Sequence, residues 1–148
     1  MATVERSIVI AVPPEQLWQA FSNLQGWLAW NPHMREVRLV QRDDLAPGSR
    51  ARIVLKTGFR SHWEVTELTL GRSFTWASRL LPGLNLAFAH EVERAGGDVR
   101  AVLRIEATGP LAALASPALR FIYSRNLQRS LENLKHLLEG GRQSPTAA

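Results

Sequence analysis

His90 is the side chain in this sequence best suited to moving a proton. It falls mid-run in Phe88-x-His90-x-Val92, so a strand turns it to the same face as two apolar residues. A neutral imidazole there can act as a general base or hydrogen-bond a ligand. A buried histidine satisfied by a neighbour or water fits the same pattern. Ser78, Tyr123 and Asn126 are its candidate partners. Tyr123 and Asn126 stand one helical turn apart, where they can orient a ligand and polarise a carbonyl or hydroxyl. Tyr123 can equally pack its ring and keep its hydroxyl at a cavity rim. His90 and Tyr123 are the candidate catalytic residues.

Aromatic surface is the second signal. The chain has five tryptophans among 148 residues. Flat indole walls suit a planar apolar ligand, and each buried N–H needs a partner. Trp18 is expected in the core, and Trp30, Trp63 and Trp76 are the cavity candidates. With the inward residues of the strands and last helix, the expected ligand-binding set is Trp30, Trp63, Trp76, Phe74, Ser78, Phe88, His90, Leu103, Tyr123, Asn126, Leu127 and Ser130.

Other chemistries find no footing. There is no cysteine, so disulfides, thiolate metal sites and a cysteine nucleophile are excluded. His33, His62, His90 and His136 are far apart and lack ligand spacing, so no metal is expected. Gly96-Gly97-Asp98 reads as a hairpin turn, not a phosphate loop. No organic cofactor is expected. Net charge is +5, with 16 of the 18 basic residues being Arg. These are scattered among acids without a basic run, so a solvated surface is expected and nucleic acid is not. No apolar run reaches membrane-span length. The N-terminus lacks a signal-peptide pattern, and we expect a cytoplasmic protein, monomeric or homodimeric.

The elements that must position these residues follow from periodicity. Thr3–Val12 reads as a strand closed by Pro13-Pro14, which opens a helix with Leu17, Trp18 and Phe21. A short helical turn holds Trp27 and Trp30 and ends at Asn31-Pro32. Strands are predicted at Met34–Gln41, Ser49–Thr57, Phe59–Leu70, Ser73–Leu80, Leu86–Arg94 and Val99–Thr108, separated by glycine- and proline-containing turns. Alternation puts Ala51, Ile53, Leu55, Phe59, Ser61, Trp63, Val65, Phe74, Trp76, Ser78, Phe88, His90, Ala101, Leu103 and Ile105 on one face. The other is charged, with Glu91 and Glu93 set to pair with Arg100 and Arg104. Ser116-Pro117 opens a final helix to Glu139, with the stripe Leu119, Ile122, Tyr123, Asn126, Leu127, Ser130, Leu131, Leu134, Leu137 and Leu138. Residues 1–139 form one domain, and 140–148 read as a flexible tail. An antiparallel sheet followed by a long helix implies a curved sheet gripping that helix, an α+β arrangement with a cavity between them.

One family shares this order of features: Pro13-Pro14-Glu15-Gln16-Leu17-Trp18, Trp27-x-x-Trp30-Asn31-Pro32, Pro47-Gly48, Trp63-x-Val65, Gly71-Arg72-x-Phe74-x-Trp76, Leu81-Pro82-Gly83-Leu84, His90, Gly96-Gly97 and Gly109-Pro110-Leu111. From about Val4 to Leu138 the chain resembles the polyketide cyclase/dehydrase and lipid-transport group of the START-like (SRPBCC, Bet v 1-like) superfamily. The resemblance implies a helix-grip fold: a seven-stranded curved antiparallel sheet, two short helices after strand 1, and a C-terminal helix over a deep hydrophobic cavity. Many relatives carry an acid on the inner face of the last strand and an aromatic two residues on; here Ile105 and Ala107 make the cavity more apolar. The expected function is binding of a small hydrophobic molecule, aromatic, polyketide-like or lipid-like. The alternatives are a polyketide aromatase/cyclase or dehydratase working in the same cavity, and a cochaperone-like interaction module.

Overall fold

The computed structural model describes residues 2–40 and 45–147, with side chains described as far as Gly140. Its elements run β1 (Ala2–Ile10), α1 (Pro14–Ser22), a 3-10 helix (Leu24–Ala29), β2 (Met34–Val40), β3 (Arg50–Leu55), β4 (Arg60–Thr69), β5 (Ser73–Leu81), β6 (Leu84–Ala95), β7 (Asp98–Thr108) and α2 (Ala112–Ala147). The strands form one antiparallel sheet in the order β1-β7-β6-β5-β4-β3-β2. Strands 2 to 7 are therefore a meander, and the first strand closes onto the last. This is the helix-grip architecture, with strand ends within two residues of those read from sequence; Gln41, the expected end of β2, lies outside the described residues.

One face of the sheet holds the core: Ile53, Trp63, Val65, Phe74, Trp76, Leu86, Leu103 and Ile105 are buried there with Leu17 and Phe21 of α1. Removing this much apolar surface from water is the main stabilising term. The opposite face is charged. Arg104 donates from Nε to Glu5 (2.7 Å) and from its terminal nitrogens to Glu91 (2.9 and 3.3 Å), spanning β1, β7 and β6, and Arg100 lies 4.0 Å from Glu93. The predicted cross-strand pairs form; Arg100–Glu93 is water-exposed and contributes little, whereas Arg104–Glu91 is partly buried.

Two bulges change which residues face inward. The register slips between Val65 and Glu67, leaving Thr66 as the extra residue, so Val65 and Leu68 both reach the core despite their odd spacing. The slip between Met34 and Glu36 does the same for Met34 and Val37.

The last helix begins a turn earlier than Ser116-Pro117 predicts. Gly109 takes φ +104°, Leu111 N–H donates to Gly83 O (3.0 Å), and Ala112 N–H donates to Gly109 O (3.0 Å). That turn starts the helix at Ala112, and the N–H missing at Pro117 falls opposite exposed Ala113. Helical backbone also continues to Ala147, through the stretch whose composition reads as a tail; Ala148 lies outside the described residues. The inward stripe is narrower than expected. Leu127, Ser130, Leu131 and Leu134 are buried, whereas Ile122 and Leu137 are about half exposed.

Helix α2 rests mainly on β1, with β7 and the 3-10 helix beneath it. Lys135 Nζ donates to Val9 O (2.8 Å) and to Glu139 Oε2 (2.7 Å), and Ala11 N–H donates to the same carboxylate oxygen (2.9 Å). No helix among the described residues is long and apolar enough to cross a membrane.

Candidate functional site

Because α2 leans on the β1 side, a space remains between it and β3, β4 and the inner parts of β5 to β7. Its walls are Trp27, Trp30, Asn31, His33, Met34, Ile53, Leu55, Phe59, Ser61, Trp63, Trp76, Phe88, His90, Leu103, Ile122, Tyr123, Asn126, Leu127 and Ser130. No carboxylate, lysine or arginine is among them. The cavity measures about 70 Å³. An apolar cavity that holds benzene is about twice that size, at about 150 Å³.

The register brings His90 to the centre of this wall. It pairs with Phe74 across β5–β6 and with Leu103 across β6–β7. Its ring is stacked between Phe74 (4.2 Å between centroids, 10° between planes) and Phe88 (4.4 Å, 7°). Nδ1 lies 3.3 Å from the Phe74 carbonyl oxygen. A carbonyl can only accept, so Nδ1 carries the proton and Nε2 presents a lone pair. Nε2 is buried and has no partner. Burial lowers the His90 pKa to about 3, only partly offset by the bond to Phe74. The imidazole is neutral at physiological pH. None of the partners expected from sequence, Ser78, Tyr123 or Asn126, hydrogen-bonds it.

Trp76, opposite Phe88 on β5, also lines the cavity, and its buried Nε1–H has no partner. The other polar groups are mostly engaged. Trp27 Nε1 donates to Phe21 O (3.0 Å) and Trp63 Nε1 to Ser61 Oγ (2.9 Å). Ser130 Oγ donates to Asn31 Oδ1 (2.8 Å), and Asn31 Nδ2 donates to Trp27 O (3.0 Å), tying α2 to the 3-10 helix. His33 Nδ1 is buried without a partner, and its pKa is lowered by burial and then by nearby Arg129. Burial raises the Tyr123 pKa, so it is a neutral phenol.

Of the ligand-binding residues expected from sequence, Trp30, Trp63, Trp76, Phe88, His90, Leu103, Tyr123, Asn126, Leu127 and Ser130 line this one cavity. Phe74 does not. It is fully buried behind His90, in edge contact with Trp18 and Trp76, and acts as the backing of the imidazole. Ser78 does not either; it is buried further along β5, at the base of a separate groove with Val40, His62 and Arg79. Five further wall residues have a sequence signal. Trp27 shares a face with Trp30 because a 3-10 helix repeats every three residues. Ile53, Leu55, Phe59 and Ser61 fall on the inward parity of β3 and β4. Asn31 and His33 carry no such signal; the irregular backbone after the 3-10 helix turns them in.

The geometry can be set beside known proteins. The model of the family described as "Polyketide cyclase / dehydrase and lipid transport" matches residues 1–139. No curated protein matches the sequence. Among solved structures, a hypothetical protein from Helicobacter pylori aligns with TM-score 0.78 at 17% identity, covering 91% of this chain and 86% of that one. The di-domain ARO/CYC StfQ from the steffimycin biosynthetic pathway aligns with TM-score 0.76 at 15% identity, over 95% of this chain and 51% of that one. Ara h 8.0201 aligns with TM-score 0.75 at 13% identity, over 93% and 97%. These superpositions establish a shared Bet v 1-like fold, and by the match of the family model along residues 1–139 the chain belongs to the polyketide cyclase/dehydrase and lipid-transport family.

Proposed function

We propose that this protein binds a small, mostly apolar aromatic molecule in the cavity beneath α2. The observation that carries the reading is the wall itself: tryptophan, phenylalanine and aliphatic side chains with no charged group among them. Burial of ligand surface supplies the affinity, and a few neutral polar atoms set the orientation. A cyclase or dehydratase working through His90 is disfavoured. An imidazole with a pKa of about 3 is a weak base at neutral pH, no wall residue is a carboxylic acid, and the Tyr123 phenol does not hydrogen-bond His90.

The cavity is too small for an aromatic ligand as it stands, so binding requires the mouth to widen. Ile122 and Phe59 both line it and are about half exposed, which makes them its movable edge. The test has two parts. Native mass spectrometry of the purified protein, with organic extraction, should reveal a reproducible adduct of aromatic or lipid-like mass. Toluene added to the stripped protein should raise its melting temperature. A clean mass together with no toluene shift would sink the reading. It would favour the interaction-module alternative, which draws support from exposed Leu114 and Phe121 on the outer side of α2.

A further inference from the structure

We propose that the cavity selects ligands bearing a hydroxyl group, which donates to His90 Nε2 while an oxygen of the same ligand accepts from Trp76 Nε1–H. The inference rests on the binding reading above and adds the polar chemistry of the ligand to it.

Two buried polar atoms carry it. His90 is 1% exposed and Trp76 is 0% exposed, both line the cavity, and neither His90 Nε2 nor Trp76 Nε1 has a partner among the described residues. A buried polar atom left unpaired is costly, and the cost is recovered when a ligand pairs it. Their roles are fixed and opposite. His90 Nδ1 is committed to the Phe74 carbonyl, so Nε2 can only accept. An indole N–H can only donate. The two rings stand edge to face, 5.6 Å apart at 89°. Neither ring is free to swing away: His90 is clamped between Phe74 and Phe88, and Trp76 is packed by Trp27 (5.1 Å) and Phe74 (5.3 Å).

A hydroxyl is the small group that matches this pair, because it donates and accepts at one atom. An ether or ketone oxygen can satisfy Trp76 but leaves His90 bare. A hydrocarbon leaves both bare. A carboxylate meets no cation on the wall and repels the His90 lone pair. Flat aromatic walls around the pair favour a phenol-type hydroxyl over an aliphatic one.

Phenol, anisole and toluene separate these cases, being similar in size and differing in hydrogen bonding. Their affinities for the full chain would be measured at neutral pH by calorimetry or NMR titration. Phenol should bind at least about tenfold more tightly than toluene, although toluene is the more apolar, with anisole between them. In His90→Phe and in Trp76→Phe the ratio of phenol to toluene affinity should fall to about threefold or less. If toluene or anisole binds the native protein as tightly as phenol, the proposal is overturned and the cavity reading stands. If none of the three binds, this proposal falls, and a clean native mass beside that result takes the binding reading with it. The native-protein series needs no variant to fold, so it can overturn the proposal alone.

Discussion

His90 reports on its own burial through pH. In the unfolded chain its pKa is about 6.5 and in the folded protein about 3. Between those values the unfolded state holds a proton that the native state does not, so unfolding becomes easier as pH falls. The penalty is absent above about pH 6.5 and grows to about 3 kcal/mol by pH 4. His33, also lowered, acts in the same direction. His90→Phe keeps a flat ring between Phe74 and Phe88 and removes the titration. We expect it to equal or exceed the native protein in stability at pH 7, and to lose stability less steeply toward pH 4. Chemical denaturation at several pH values reads this out. Parallel slopes for the two proteins would mean that His90 is protonated or solvated in the fold. This residue was legible in sequence as inward-facing from its parity with Phe88 and Val92. Its charge state was not, because desolvation depends on the elements that pack over it.

The elements meet at a junction that the sequence marks only as glycine and proline. Gly109 ends β7 with φ +104°, and a Cβ there would lie 2.4 Å from the carbonyl oxygen of Gly83 in the β5–β6 turn. The contact is backbone to backbone, so nothing flexible can yield. Gly109→Ala should cost about 2–4 kcal/mol or more, since it combines a strained φ with overpacking. Gly97→Ala is the control: its added Cβ would meet nothing within 4 Å. Denaturant midpoints compare the two, and equal, small losses would contradict the tight approach. The same junction starts α2 at Ala112, ahead of the Ser-Pro pair that looks like a helix start. Gly109-Pro110 marks a turn in the sequence, but the Gly83 carbonyl that anchors it comes from a hairpin 26 residues earlier.

At the scale of the whole molecule, the lean of α2 toward β1 makes the cavity. The bonds of Lys135 and Glu139 to the end of β1 hold the C-terminal half down, while Tyr123 and Ile122 stand over the open side. Entry should therefore be limited by the edge that Ile122 and Phe59 form. Truncating either to Ala should speed toluene association several-fold in stopped-flow tryptophan fluorescence. Stability should change by no more than about 1 kcal/mol, because both side chains are half exposed. Unchanged association rates would place the entrance elsewhere.

The alternation of apolar and charged residues by itself determined the seven strands, their inward face and most of the cavity wall, because a pleated strand has only two sides to give. The 3.6-residue stripe likewise determined that the last segment is a helix facing that sheet. Tertiary structure decided what these local rules do not contain. Bulges at Thr66 and near Arg35 reset the parity of two strands. Phe74 went behind His90, and Ser78 is buried further along β5, away from the cavity, because position along a strand, not face alone, decides what reaches the cavity. The pairing of Ser130 with Asn31 and the absence of any partner for His90 Nε2 and Trp76 Nε1 arise only where segments remote in sequence close around one space.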